Sequence, residues 1–133
     1  ISGPENQEAR AWYEKNQMPV IAYASLGRGF FSGRMKSEYA DHAGDYLDSF
    51  AMIGYACSDN FERLRRCEII AEKHGVTVAQ IAMNWIFSHP LNIFAIASMS
   101  KADRMKANRE ALLLQLSDEE IAYLDLETPE FCG

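Results

Sequence analysis

Residues 19–33 read PVIAYASLGRGFFSG, and this stretch decides our interpretation of the fold. Its first five residues form a short apolar run, which predicts a buried strand of a parallel sheet. Residues 25–33 follow directly and hold three glycines within seven residues, which predicts special backbone angles or close approach of another molecule. Free N–H groups in such a loop can face a phosphate, although the spacing fits neither GxGxxG nor a P-loop.

Around this stretch the chain alternates predicted helices with one further strand. The first helix ends near Gln17, and a second apolar run at residues 93–97 predicts the other strand. Further helices are predicted at residues 59–74, from Thr77 to Pro90, at 101–112 and from Ser117, whereas residues 34–58 predict a variable loop with a short helix around 46–52. Strands that alternate with helices predict an α/β fold with a parallel sheet. Two strands cannot bury both faces and both edges, so we expect part of a larger sheet to be missing.

Helix caps and apolar stripes support these helices. Capping boxes are predicted at Asp59/Glu62, Thr77/Gln80 and Ser117/Glu120, and a C-terminal cap is predicted at Gly75. Helical spacing predicts a buried stripe of Leu64, Cys67, Ile70 and Ala71. The large aromatic residues expected to form core and shell of a barrel are Trp12, Trp85, Phe87 and Phe94. The acidic residues expected on solvated helix faces are Glu8, Glu62, Glu68 and Glu72.

The composition is that of an ordinary folded domain, which we place at residues 1–133. Of these residues 48% are hydrophobic and 24% are charged. The net charge of −6 disfavours a nucleic acid or an anionic membrane as partner, and the apolar runs are too short to span a bilayer. Three cysteines without a CxxC pair indicate free thiols and a cytoplasmic location, and three scattered histidines disfavour a zinc site. Because the chain begins at Ile1 without a methionine, we expect a processed product or a fragment.

A second polar constellation follows the second strand. Residues 98–101 lead into a helix on which Lys101, Arg104 and Asn108 are spaced three and four residues apart, so they share one side. Two cations beside a helix N-terminus could hold a phosphate, and an asparagine amide could bind a base edge. The alternative, which the spacing alone favours, is a solvated helix face.

Read together, these stretches resemble the C-terminal part of the aldo-keto reductase family. Residues 21–33 look like the seventh strand of that family and the loop after it, and residues 75–85 look like the helix before the eighth strand. Residues 96–108 and 116–120 look like the eighth strand and the closing helix. The resemblance implies the last βα units of a TIM (β/α)8 barrel, with two parallel strands and mostly helices here. It also implies that NADP(H) binds at the carboxyl ends of the strands.

The resemblance implies a cofactor site residue by residue. Tyr23 matches the aromatic residue that stacks on the nicotinamide, although a tyrosine at a strand end is otherwise more often a packing residue. The positions that match pyrophosphate contacts are Ala24, Leu26 and Arg28. The adenosine end is matched by Ser98, Met99, Ser100 and Lys101 around the 2′-phosphate, by Arg104 beside that phosphate and the adenine, and by Asn108 at the adenine edge. The choice between NADP and NAD stays open because the sequence departs from the family pattern at Ala24, Ser98, Met99 and Ala107.

The implied activity is reduction of aldehydes and ketones to alcohols, with NADPH and a small carbonyl compound as partners. In the family a Tyr, Lys, Asp and His set from the N-terminal half of the barrel carries the acid–base chemistry, and nothing here aligns with that half. We therefore assign no catalytic residue and expect the chain to be catalytically incomplete by itself. Alternatives are a non-catalytic nucleotide-binding module and an interaction module that self-associates through exposed strand edges.

Overall fold

The computed structural model describes residues 6–97 and 102–129. Its helices are α1 (Gln7–Asn16), α2 (Ser49–Tyr55), α3 (Ser58–His74), α4 (Val78–Phe87), α5 (Ala102–Ala111) and α6 (Asp118–Leu124). The strands are β1 (Val20–Ala22) and β2 (Ile93–Ala95), and 3₁₀ helices lie at Gly27–Gly29 and Ser37–Asp45. The predicted order of helices and strands is confirmed. No helix in the two described ranges is long and apolar enough to cross a membrane.

The two strands form a parallel pair in which Ile21 lies opposite Phe94. Side chains alternate between the faces of a strand, and the flanking residues of both strands are half-buried. Ile21 and Phe94 share the other face and are 65% and 56% exposed. Tyr23 and Ile96, two residues further along each strand, are also exposed. Within the described residues this apolar face has no covering layer, so this chain alone does not bury Phe94.

The core lies between the helices and centres on α3. The buried stripe predicted from spacing is confirmed for Leu64, Cys67, Ile70 and Ala71. Burial raises the pKa of the Cys67 thiol to about 12, which keeps it protonated and unreactive. Phe30, at the end of the glycine-rich loop, is fully buried in the same cluster, and its ring centroid lies 5.2 Å from that of Phe61. The loop after β1 is therefore anchored to the helical core.

Two of the three predicted capping boxes are confirmed. In both, the side chains of Thr77/Gln80 and Ser117/Glu120 bond reciprocally to the backbone, as the motif requires. Gly75 ends α3 with a φ of 64°, in the left-handed region that favours glycine. The box at Asp59 is wrong, because α3 begins at Ser58 and Cys57 occupies the N-cap position. Glu62 instead accepts hydrogen bonds from two arginines of the next turn.

Residues 34–58 are more regular than a loop. The 3₁₀ helix at Ser37–Asp45 precedes α2, which begins at Ser49, three residues later than the predicted start at 46. Glu68 of α3 accepts hydrogen bonds from the backbone N–H and hydroxyl of Ser37, so its expected solvated position is wrong. This chain alone does not bury Trp12 either, since it is 52% exposed and α1 has no buried residue.

Candidate functional site

A pocket of about 300 Å³ lies at the carboxyl ends of the two strands. It is lined by Tyr23, Ala24, Arg28, Asp48 and Ile96. Its volume is at the lower end of the range for ligand pockets. Tyr23, Ala24 and Arg28, which the sequence analysis assigned to the cofactor site, therefore lie together. Asp48 and Ile96 were not assigned to it.

The ends of β1 and β2 are held together by a serine in the loop. The Ser25 hydroxyl is 3.0 Å from the Ala22 carbonyl oxygen on one strand and 3.3 Å from the Ile96 carbonyl oxygen beyond the other. Donation to these acceptors fixes the start of the loop relative to both strands. The pocket thus lies where the ends of both strands are held together by Ser25.

The loop follows an unusual backbone path. Ala24 and Arg28 have φ values of 53°, and Gly27 and Gly29 have φ values of 57° and 98°. Positive φ is costly for residues with a Cβ, and it persists where surrounding contacts impose it. At Gly27 a Cβ would also lie 3.2 Å from both the Phe30 Cβ and the Tyr55 ring, so the loop needs glycine for space as well as for angle.

This path leaves several loop amides available for a ligand. Among the described residues, the backbone N–H groups of Ala24, Leu26 and Arg28 have no hydrogen-bond acceptor, while the Leu26 carbonyl accepts from Gly29 and Phe31. Free N–H groups of a loop can bind an anion where they converge on it. These three are the positions that the sequence associates with the pyrophosphate, and two of them, Ala24 and Arg28, also line the pocket.

The Tyr23 side chain stands at the mouth of the pocket with 79% of the residue exposed. A packing role within the described chain would have buried it. An exposed aromatic ring beside a pocket offers a flat apolar surface on which a planar ring can stack. Tyr23 shares this exposure with Ile21 on the same face of β1, and its ring is accessible beside the pocket.

Arg28 already has partners on α2. Its guanidinium donates a hydrogen bond of 3.0 Å to Asp48, and its Cζ lies 5.4 Å from the centre of the Phe50 ring. The hydrogen bond to Asp48 raises the pKa of Arg28, and the same bond holds the pKa of Asp48 below its usual range. The sequence analysis missed Asp48 and Phe50. An aspartate before a short helix predicts an N-cap. Its contact with Arg28, twenty residues away in the sequence, depends on the tertiary fold and could not be predicted from that pattern.

Of the residues expected at the adenosine end, the structure describes Arg104 and Asn108. Ser98, Met99, Ser100 and Lys101 lie outside the described residues. Arg104 and Asn108 lie one helical turn apart on α5, where Arg104 is exposed and Asn108 is half-buried. Neither lines the pocket at the strand ends. The carbonyl of Ala107, between them, accepts a hydrogen bond of 3.2 Å from Gln80, which anchors α5 on α4.

Comparison with known proteins finds similarity to several proteins that are named as reductases. Aldo-keto reductase str7 of Strobilurus tenacellus is 27% identical over 107 residues, which are 77% of this chain and 31% of that protein. Aldo-keto reductase yakc of Schizosaccharomyces pombe, whose name specifies NADP(+), is 29% identical over 89% of this chain and 35% of its own length. A protein of the same yeast named probable pyridoxal reductase 2 is 29% identical over 78% of this chain and 33% of its length.

The chain spans about a third of the length of these three relatives. No solved structure matches it significantly. The model of the aldo/keto reductase family matches residues 4–126, which is nearly the whole chain. This match confirms the resemblance seen in the sequence, and the chain belongs to the aldo/keto reductase family.

Proposed function

We propose that this chain carries the cofactor-binding C-terminal part of an NADP(H)-dependent reductase of aldehydes and ketones. In this proposal β1 and β2 are two of the eight parallel strands of a TIM barrel, whose binding sites lie at the carboxyl ends of the strands. The observation that carries the proposal is the pocket at those ends, which combines an exposed Tyr23 ring with loop amides free to bind an anion.

Each part of the site has a separate task in this function. Tyr23 holds one face of the nicotinamide and leaves the other face open toward the substrate. The N–H groups of Ala24, Leu26 and Arg28, with the Arg28 guanidinium, hold the pyrophosphate. Residues 98–101, with Arg104 and Asn108, hold the adenosine end and its 2′-phosphate. When bound, NADPH supplies the hydride that reduces the carbonyl carbon.

The uncovered sheet face supports the barrel. Ile21, Phe94 and Ile96 are large apolar side chains on one face of a parallel pair, and parallel sheets are ordinarily covered on both faces. Further strands of a barrel would bury them. In this proposal those strands also supply the groups that protonate the carbonyl oxygen, so the reaction needs residues outside this chain.

Titration with NADPH tests the cofactor site through Tyr23. Tyr23→Ala removes the stacking surface, and we expect the dissociation constant to rise about fivefold or more, whereas Tyr23→Phe keeps the ring and should bind as the parent does. Because Tyr23 is exposed, neither change should lower the melting temperature. Quenching of tryptophan fluorescence and calorimetry measure binding.

Ile53→Ala is the matched control, since Ile53 is a large exposed apolar residue that does not line the pocket. Its affinity for NADPH should equal that of the parent chain. Absence of NADPH binding at millimolar cofactor by the folded chain, or equal binding by Tyr23→Ala, would refute the proposed site.

A further inference from the structure

The pocket at the strand ends contains a carboxylate as well as a guanidinium. Asp48 and Arg28 both line it, and their charged atoms lie 3.0 Å apart. A phosphate that binds Arg28 therefore enters a site where a negative charge already holds that cation. The Asp48 carboxylate and the phosphate carry like charges and repel each other at short range. The Arg28 guanidinium also cannot direct all its hydrogen bonds to both of them.

The Asp48 carboxylate is fixed by two different bonds. One oxygen accepts a hydrogen bond of 2.7 Å from the Ala51 N–H and so caps α2, while the other accepts from Arg28. Because rotation away from Arg28 would also break the cap, the carboxylate is kept at the pocket. Its position is a consequence of the helix start and does not depend on Arg28 alone.

Arg28 is constrained from its own side as well. Its backbone has a φ of 53° and lies between two glycines that also have positive φ, which fixes the direction in which the side chain leaves the loop. The guanidinium then lies between Asp48 and the exposed ring of Phe50. The ion pair joins the loop after β1 to the start of α2 across the pocket.

We infer that Asp48 is a positioning residue that holds the Arg28 guanidinium at the pocket and competes with the phosphates of a ligand for it. The inference rests on the proposed function, in which that ligand is a dinucleotide whose pyrophosphate meets Arg28. Asp48 thereby lowers the affinity for the anionic part of the ligand and keeps Arg28 oriented before the ligand arrives. It has no effect on stacking at Tyr23.

Neutral variants that keep the helix cap test this inference. Asn and Ser are good N-caps, so Asp48→Asn and Asp48→Ser remove the charge while the bond to Ala51 is retained. Calorimetric titration of the 133-residue chain with inorganic pyrophosphate and with NADPH should give dissociation constants about two- to fivefold lower than in the parent. Reduced nicotinamide riboside, which is uncharged and lacks phosphate, should bind all three proteins equally.

Two controls separate this role from a general charge effect. Asp45→Asn removes an exposed acid three residues away that does not line the pocket, and it should leave pyrophosphate binding unchanged. In an Arg28→Gln background there is no guanidinium to compete for and only the direct repulsion between Asp48 and the phosphate remains, so adding Asp48→Asn should tighten binding clearly less than it does in the parent. Circular dichroism melts establish that every variant is folded.

The outcomes distinguish this inference from the proposed function. Tighter pyrophosphate binding by both Asp48 variants without NADPH binding would retain the inference and reject the nicotinamide site. NADPH binding that is the same with and without Asp48 would retain the function and overturn the inference. The inference also fails if Asp48→Asn tightens the binding of reduced nicotinamide riboside as strongly as that of pyrophosphate. An equal effect on an uncharged ligand would mean that the substitution changes the structure of the pocket.

Discussion

Arg66 is a charged side chain that is largely buried, and its partners explain how it is tolerated. Its side chain is 8% exposed, and it donates hydrogen bonds to the Glu62 carboxylate and to the carbonyl oxygens of Tyr123 and Thr128. The guanidinium carbon also lies 4.3 Å from the centre of the Tyr123 ring. A buried cation is costly without such partners. Arg66 therefore joins α3 to the end of α6 and the segment after it.

Replacement of Arg66 by alanine should destabilise the chain strongly. Arg66→Ala removes the side-chain donor from the Thr128 and Tyr123 carbonyls, although Tyr123 keeps the Leu126 N–H, and it leaves a cavity in a buried site. We therefore expect the free energy of unfolding to fall by about 2–4 kcal/mol. Arg65 is the matched control, because it contacts the same carboxylate from an exposed position, and Arg65→Ala should cost less than about 1 kcal/mol. Urea denaturation measures both. Equal losses would contradict the role given to burial.

Glu62 should make stability depend on pH in the acid range. Hydrogen bonds from Arg65, and then from Arg66, lower the pKa of Glu62 from 4.5 to about 2 although burial opposes this. Since the carboxyl binds protons less readily in the folded state, its contribution is fully present above pH 4.5 and is lost as the pH falls toward 2. Urea midpoints across this range should fall less steeply in Glu62→Gln. Parallel curves for the two proteins would refute this assignment.

At the scale of elements, α3 organises the molecule. It packs against α4, α6 and the 3₁₀ helix at Ser37–Asp45, so its buried stripe contacts much of the core. Its polar side chains also hold neighbouring segments, as the bonds of Arg66 and Glu68 show. The helix is therefore the element on which cooperative unfolding should depend most.

Adjacent isoleucines on α3 test this directly. Ile70 is fully buried, whereas Ile69 is 37% exposed on the same helix. Ile70→Ala should lower the free energy of unfolding by about 2–5 kcal/mol through lost burial and a cavity, and Ile69→Ala should cost clearly less. Chemical denaturation gives both free energies, provided that the slope of the free energy against denaturant concentration is the same for both variants. A larger loss at Ile69 would mean that the burial pattern of α3 is different.

At the scale of the whole molecule, the uncovered sheet face and the composition of the pocket determine what the chain can do alone. The described part of the pocket wall contains neither histidine nor lysine, and its tyrosine is the one assigned to stacking. Proton transfer to a carbonyl oxygen requires a suitably placed acid. In the proposed barrel we therefore expect the acid–base groups to come from other strands.

The 133-residue chain should therefore bind NADPH without oxidising it. Incubated with NADPH and reactive aromatic aldehydes, the purified chain should show no loss of NADPH absorbance above the rate without protein. An intact aldo-keto reductase serves as the positive control for the assay. Measurable turnover by this chain would show that its own residues complete the chemistry.

Several helices could be predicted from local signals alone. The boxes at Thr77 and Ser117 and the cap at Gly75 succeeded because each involves residues within one turn of the backbone. The box at Asp59 failed because α3 begins at Ser58, so that Cys57 and not Asp59 occupies the N-cap position. A nearby charge does not by itself break a box, since Glu120 keeps its bond to Ser117 while it also contacts His74 and Lys73.

The sequence by itself determined the order of helices and strands and the buried stripe of α3, since both depend on spacing along the chain, and the resemblance of its motifs indicated the family. Only the tertiary structure brought Asp48 to Arg28 and joined both to Tyr23 in one pocket. It also decided that the face of Ile21 and Phe94 is uncovered in the described chain. The physical reason is that contacts between distant residues depend on how elements pack, and that packing is not encoded in any single stretch.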